Sequence, residues 1–114
     1  MDRRPLVLLC SSPRQFSLHD TTRSVAGEKI AFLSALGASE AFLLMRQFTF
    51  AAIIFRPGPE FGAVFLAQAL KLSGKTPLIG VAYTPEERQV LADVTTNLVC
   101  ECGRIAEALA TIAA

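Results

Sequence analysis

The chain has 114 residues, a net charge of +1 and a hydrophobic content of 52%. That length suits one domain with a full core, and the near-zero charge removes the strongly basic face expected of a nucleic-acid-binding module. No block of like charges signals disorder, and no apolar run approaches the roughly 18–20 residues that span a bilayer.

In chain order, Arg3 and Arg4 precede Leu6–Leu9 in a faint echo of a secretion signal, but the apolar run is short and Ser11-Ser12-Pro13-Arg14 ends it at once. The continuous apolar stretch Leu6–Cys10 predicts a first strand buried on both faces. Ser12 then stands as a helix cap with Pro13 in the first turn. The helix predicted from Pro13 to Val25 has a thin stripe of Leu18, Thr21, Thr22 and Val25, closed by Gly27. Ile30–Leu33 predicts a short second strand. Gly37 breaks the pattern, and Ser39 caps a helix whose Ala41, Leu44, Met45 and Phe48 recur at helical spacing.

The stretch Phe50–Pro59 organises the chain. Ala51–Phe55 is a short apolar run with β-branched members, stopped by Arg56 and a Pro-Gly-Pro loop, and reads as a central parallel strand. Phe61, Phe65, Ala69 and Leu72 give the next helix one face, and Ser73-Gly74 ends it. Leu78–Ala82 predicts the fourth strand. Thr84-Pro85-Glu86-Glu87 has the spacing of a capping box, and its helix is expected to bury Val90, Leu91 and Val94. Asn97–Cys100 predicts a fifth strand, and Ile105, Ala108, Leu109 and Ile112 mark the face of a last helix. Strands alternating strictly with helices imply right-handed crossovers and a parallel sheet covered on both faces. A stand-alone domain and one cut from a larger regulator look alike at this level.

The chain resembles a response-regulator receiver domain over nearly all its length. Three stretches carry the likeness: Gly37 to Phe55, Phe61 to Leu70 and Thr76 to Ala82, similar to the receiver's second helix and third strand, its third helix and its fourth strand. The resemblance implies a flavodoxin-like (βα)5 sandwich with strand order 2-1-3-4-5. It also implies where the receiver chemistry should stand, and this sequence departs from it at each position. The acidic pair that binds magnesium after the first strand corresponds to Cys10 and Ser11. The phosphoacceptor aspartate corresponds to Phe55, or to Arg56 if the register slips by one. The switch hydroxyl falls on Ala82, and the lysine after the fifth strand on Glu101 or Cys102. The chain therefore looks like a degenerate pseudo-receiver that needs no cofactor and is not an enzyme.

What chemistry remains is sparse. Arg56 and Glu101 stand at the carboxyl ends of neighbouring strands, and their pairing would lock the emptied pocket; the alternative is two solvated loop charges. Cys10 invites a nucleophile reading, but Ser11-Ser12-Pro13-Arg14 has no glycine to bring backbone against an anion, and Pro13 removes a donor. Cys100 and Cys102 fall short of a zinc set, and His19, followed by Asp20, reads as a solvated helix surface. The odd count of three cysteines suits a reduced, cytoplasmic chain. Arg56, Tyr83, Arg88 and Gln89 suit stacking on a nucleotide second messenger such as a cyclic dinucleotide. The same residues with Arg104 suit a protein-contact face. In receivers the fourth helix, fifth strand and fifth helix form the dimer or partner surface, and here it mixes Leu91, Val94, Ala106 and Ala110 with Arg88, Asp93 and Arg104. The expected function is regulatory protein–protein contact in bacterial signalling, with a signalling partner or with adjacent domains of the same chain. A ligand sensor is the alternative and a Cys10-dependent phosphotransfer enzyme the third reading; nucleic acid and membrane partners are not expected.

Overall fold

A computed structural model describes residues 4–12, 29–58, 61–62, 65, 68–69, 71–72, 74, 76–92, 98–101, 107 and 109–110, with the backbone alone at 92 and 98–101. The expected first helix with His19, and the expectations on Val94, Asn97, Cys102, Arg104, Ile105, Ala106, Ala108 and Ile112, lie outside these residues.

Five strands, β1 (Leu6–Cys10), β2 (Ala31–Ala35), β3 (Ala52–Phe55), β4 (Leu78–Ala82) and β5 (Leu98–Glu101), form one parallel sheet ordered β2-β1-β3-β4-β5. Helix α1 spans Ala38–Gln47 and α2 spans Pro85–Ala92. Residues 65, 68–69 and 71–72 are also helical, as are 107 and 109–110. Among the described residues no helix is long and apolar enough to cross a membrane.

The uninterrupted apolar strands are explained by two cores, one on each side of the sheet. Leu8, Cys10, Ile53, Phe55, Leu78 and Ala82 face one side, where Ala41 of α1, Phe61, Phe65, Ala69 and Leu91 of α2 cover them. Val7, Leu9, Ala52, Ile54, Ile79 and Val81 face the other, with Ile30 and Leu109. Alternate residues of each strand thus enter opposite layers.

Several boundaries move from the sequence reading. β2 runs from Ala31 to Ala35 rather than over Ile30–Leu33, because its length follows its partner: Leu6 pairs Ala31 and Cys10 pairs Ala35. β3 starts at Ala52, and Ala51 is exposed. β5 is shifted by one, so that Glu101 lies inside the strand opposite Ala82.

Ser39 is not the cap of α1. Gly37 takes the N-cap, with no side-chain cap bond of its own, and Glu40 in the first turn accepts the Leu36 N–H at 3.2 Å. Phe48, expected on the buried helix face, is the extended C-cap residue and is 45% exposed. Val90 is exposed too, whereas Leu91 is buried. α2 is short, and Leu91 is the side chain that reaches the sheet, over Gly80. A Cβ at Gly80 would lie 2.4 Å from Leu91 Cδ2 and 3.2 Å from Phe55 Cζ. The missing side chain lets α2 seat. At the expected helix end, Gly74 adopts φ +59°, a left-handed stop that disfavours a side chain.

Candidate functional site

In a parallel α/β sheet the strand carboxyl ends form the natural site, since every βα loop begins there. Register brings Cys10 beside Phe55, Phe55 beside Gly80 and Ala82 beside Glu101. The Arg56 N–H donates to the Cys10 carbonyl at 2.9 Å, and the Ser11 N–H donates to the Ala35 carbonyl at 3.3 Å, so backbone pairing continues past the strand ends.

Phe55 is wholly buried. Its ring meets Phe65 edge-on at 6.0 Å, and Phe65 in turn contacts Phe61 at 4.8 Å and stacks on Phe42 at 5.4 Å. Aromatic contacts of this kind add about 0.5–1.5 kcal/mol each beyond burial. The end of β3 is therefore a core position, with its side chain directed into the layer beneath the loops.

Cys10 is also wholly buried. Burial pushes its thiol well above the ordinary range, and the charge of Glu40 adds to the push. A buried thiol that keeps its proton is a poor nucleophile. Beside it, Ser11 is fully buried and its hydroxyl oxygen has no hydrogen-bond partner among the described residues.

The charged part of the site comes from the next loop. Arg56, at the exit of β3, presents Nε to Glu87 Oε1 at 2.8 Å and Nη2 to Glu87 Oε2 at 3.0 Å. The two side chains are only 15% and 13% exposed. Glu87 stands at the third helical position after the cap Thr84. Its backbone N–H donates to the Thr84 hydroxyl at 3.2 Å, and that hydroxyl donates to Glu87 Oε2 at 3.2 Å. Oε1 also accepts the Tyr83 N–H at 3.2 Å. The reciprocal cap foreseen from Thr84-Pro85-Glu86-Glu87 is present, with the carboxylate reaching one residue further back than the cap amide. The Arg56 guanidinium lies 4.0 Å over the Tyr83 ring.

Burial by itself would raise the Glu87 carboxyl. The hydrogen bond from Arg56, the Tyr83 amide, the positive charge of Arg56 and the Thr84 hydroxyl outweigh it, and hold the group below its usual value.

Sequence reasoning placed Arg56 at this site and overlooked Glu87, reading it only as a capping residue. The signal was available: a helix that starts immediately after β4 carries its third-position carboxylate back over the sheet, next to the exit of the neighbouring β3. The expected partner, Glu101, ends β5, and its side chain lies outside the described residues. Arg88 and Gln89 are exposed on α2, and Tyr83 is half-buried beneath Arg56. Of the groups offered for nucleotide stacking, the Tyr83 ring and the Arg56 guanidinium are therefore stacked on each other.

Magnesium takes hard oxygen donors, chiefly carboxylates. A protonated thiol, a buried hydroxyl and a phenyl ring at positions 10, 11 and 55 do not fit such an ion. Among the described residues no group of three or more His, Cys, Asp or Glu side chains gathers to hold a metal.

Neither a protein-family model nor a curated protein matches the sequence. Solved structures do match in shape. The signal receiver domain of an HD domain-containing protein from Pseudomonas fluorescens Pf-5 superposes with a TM-score of 0.78 at 17% identity, over 99% of this chain and 89% of that one. A response regulator receiver protein from Sinorhizobium medicae gives 0.72 at 9% identity, over 97% and 95% of the two chains. The phosphorylated cyanobacterial phytochrome response regulator RcpA gives 0.71 at 10% identity, over 96% and 91%. The chain has the fold of a receiver domain.

Proposed function

We propose that this chain is a receiver-like regulatory module that is not phosphorylated and that acts by protein–protein contact in a bacterial signalling system, in the cytoplasm. The observation that carries the reading is the wholly buried Phe55 at the β3 terminus, the position corresponding to the receiver's phosphoacceptor. A phenyl ring has no oxygen to accept a phosphoryl group. The neighbouring Cys10, Ser11 and Ala82 replace the acidic pair and the switch hydroxyl with a protonated thiol, a buried hydroxyl and a methyl. Arg56 and Glu87 then tie the exit of β3 to the first turn of α2. In this reading the tie holds the α2 surface in one arrangement, so that partner choice, rather than phosphorylation, sets the output. The partner is another signalling protein, a second copy, or an adjacent domain of the same gene product.

The test is amide NMR of the labelled chain with beryllofluoride and magnesium, or with acetyl phosphate. Unchanged resonances at Phe55, Arg56 and Tyr83 are expected. A saturable shift there that requires magnesium would overturn the proposal.

A further inference from the structure

The solvent face of α1 carries a pattern that the strand-end site does not use. The helix turns Ala41 into the core, with Ala38, Phe42, Leu44 and Met45 packed around it. Its other side chains, Ser39, Glu40, Leu43, Arg46 and Gln47, are exposed and make up the opposite face. Leu43 stands at the centre of that face, midway along the helix. It is 54% exposed, more than any other large apolar side chain among the described residues. One exposed leucine would mean little. Here Leu36 and Phe48, two more exposed large apolar side chains, flank the same helix at its two ends.

The polar residues around Leu43 are spaced evenly and opposed in charge. Glu40 lies three residues before it and Arg46 three after, while Ser39 and Gln47 lie four before and four after. At about 100° per residue, all four project within roughly 60° of the direction of Leu43. Glu40 accepts the Leu36 N–H through Oε1, which steadies the carboxylate and leaves Oε2 for a second donor. Such a face is complementary to itself when reversed. A twofold axis beside Leu43 sets leucine against leucine, and it brings Glu40 of each copy level with Arg46 of the other. A parallel pairing would set like charges level instead.

We propose that this face is where a second copy of the chain docks, as an antiparallel α1–α1 pair centred on Leu43. A twofold interface requires one patch to fit itself, and the charge order along α1 meets that requirement. One helix pair buries less than the roughly 1,200 Å² of a standard interface, so the dimer is weak and fills at roughly 0.1–1 mM chain. The inference goes beyond the regulatory reading and does not depend on an inert strand end. A chain that answers beryllofluoride can still pair through α1, and an inert one can stay monomeric.

The test is sedimentation equilibrium and amide NMR of the chain from roughly 20 µM to 1 mM. A monomer–dimer equilibrium weakened by salt is expected, with dilution shifts at Ser39, Glu40, Leu43, Arg46 and Gln47 and none at Arg88 to Val90. Leu43→Glu, at an exposed position, should keep the fold and weaken pairing at least tenfold. E40R and R46E should each self-associate at least fivefold more weakly, and an equimolar mixture of the two should pair at least as well as the wild type. Circular dichroism of each variant verifies the helix, and the mixture reports on charge even if either variant is less stable. A chain monomeric at 1 mM, dilution shifts confined to α2, indifference to Leu43→Glu, or no pairing in the mixture would each overturn the proposal.

Discussion

Replacing Glu87 by Gln removes one charge while keeping the side chain's shape. The wild-type carboxylate accepts from Arg56 Nε, Arg56 Nη2, the Tyr83 N–H and the Thr84 hydroxyl. An amide keeps one accepting oxygen and turns an NH2 group toward donors on its other side. Hydrogen bonds to charged groups are worth about 1.5–3 kcal/mol, exposed ion pairs about 0.2–1 kcal/mol, and breaking a fully buried pair costs about 3–5 kcal/mol. At 13–15% exposure the pair lies between the last two cases. The expected loss is about 2–3 kcal/mol, a shift of about 1–2 M in the urea midpoint at a slope of about 1.5 kcal/mol/M. A double-mutant cycle with Arg56→Met isolates the pair and should give a coupling of about 1.5 kcal/mol.

The pH dependence has a definite sign. Because the folded carboxyl is held below its usual value, its contribution is complete above the unfolded pKa of about 4.3 and is lost as pH falls through the lower folded value. The gap in stability between wild type and E87Q should therefore be constant near neutrality and close in acid, below about pH 4. A coupling under about 0.5 kcal/mol, or a gap that does not narrow in acid, would refute the reasoning that this ion pair ties β3 to α2.

Three further outcomes follow from the core. Cys10, buried and with its thiol pushed up, should resist iodoacetamide at neutral pH in the folded chain and react in 6 M urea; mass-spectrometric mapping of its peptide checks this, and native labelling within minutes would contradict the packing of β1. Phe55→Asp buries a carboxylate where an aromatic cluster stood and should cost at least about 4 kcal/mol, read as loss of cooperative urea unfolding; a stably folded F55D chain would show that this position is not a core position. Gly80→Ala drives a methyl into Leu91 and should cost about 1–3 kcal/mol by the same unfolding assay, and combining it with Leu91→Ala should relieve part of that loss.

Much of the architecture was legible because it rests on local patterns. β1 and β4 were read with their exact bounds, since a short apolar run bracketed by turn formers leaves little room for error. The cap at Thr84 and the stop at Gly74 were legible for the same reason: each is a bond or a backbone angle within a few residues. What failed was mostly set by a neighbour, the cap read at Ser39 and found at Gly37 being the local exception. β2 takes its length from β1, β5 takes its register from β4, and the expectation for Val90 and Leu91 turned on which of two adjacent residues faces Gly80.

The strand end at Phe55-Arg56 divides in the same way. The residue types alone determined that an aromatic and a cation stand where β3 meets its loop, because chemistry is written in the side chains. Only the tertiary structure decided that the aromatic points into the core and that the cation closes on Glu87, 31 residues away. Such a contact depends on how α2 leaves β4 relative to the exit of β3, and no local propensity encodes that angle.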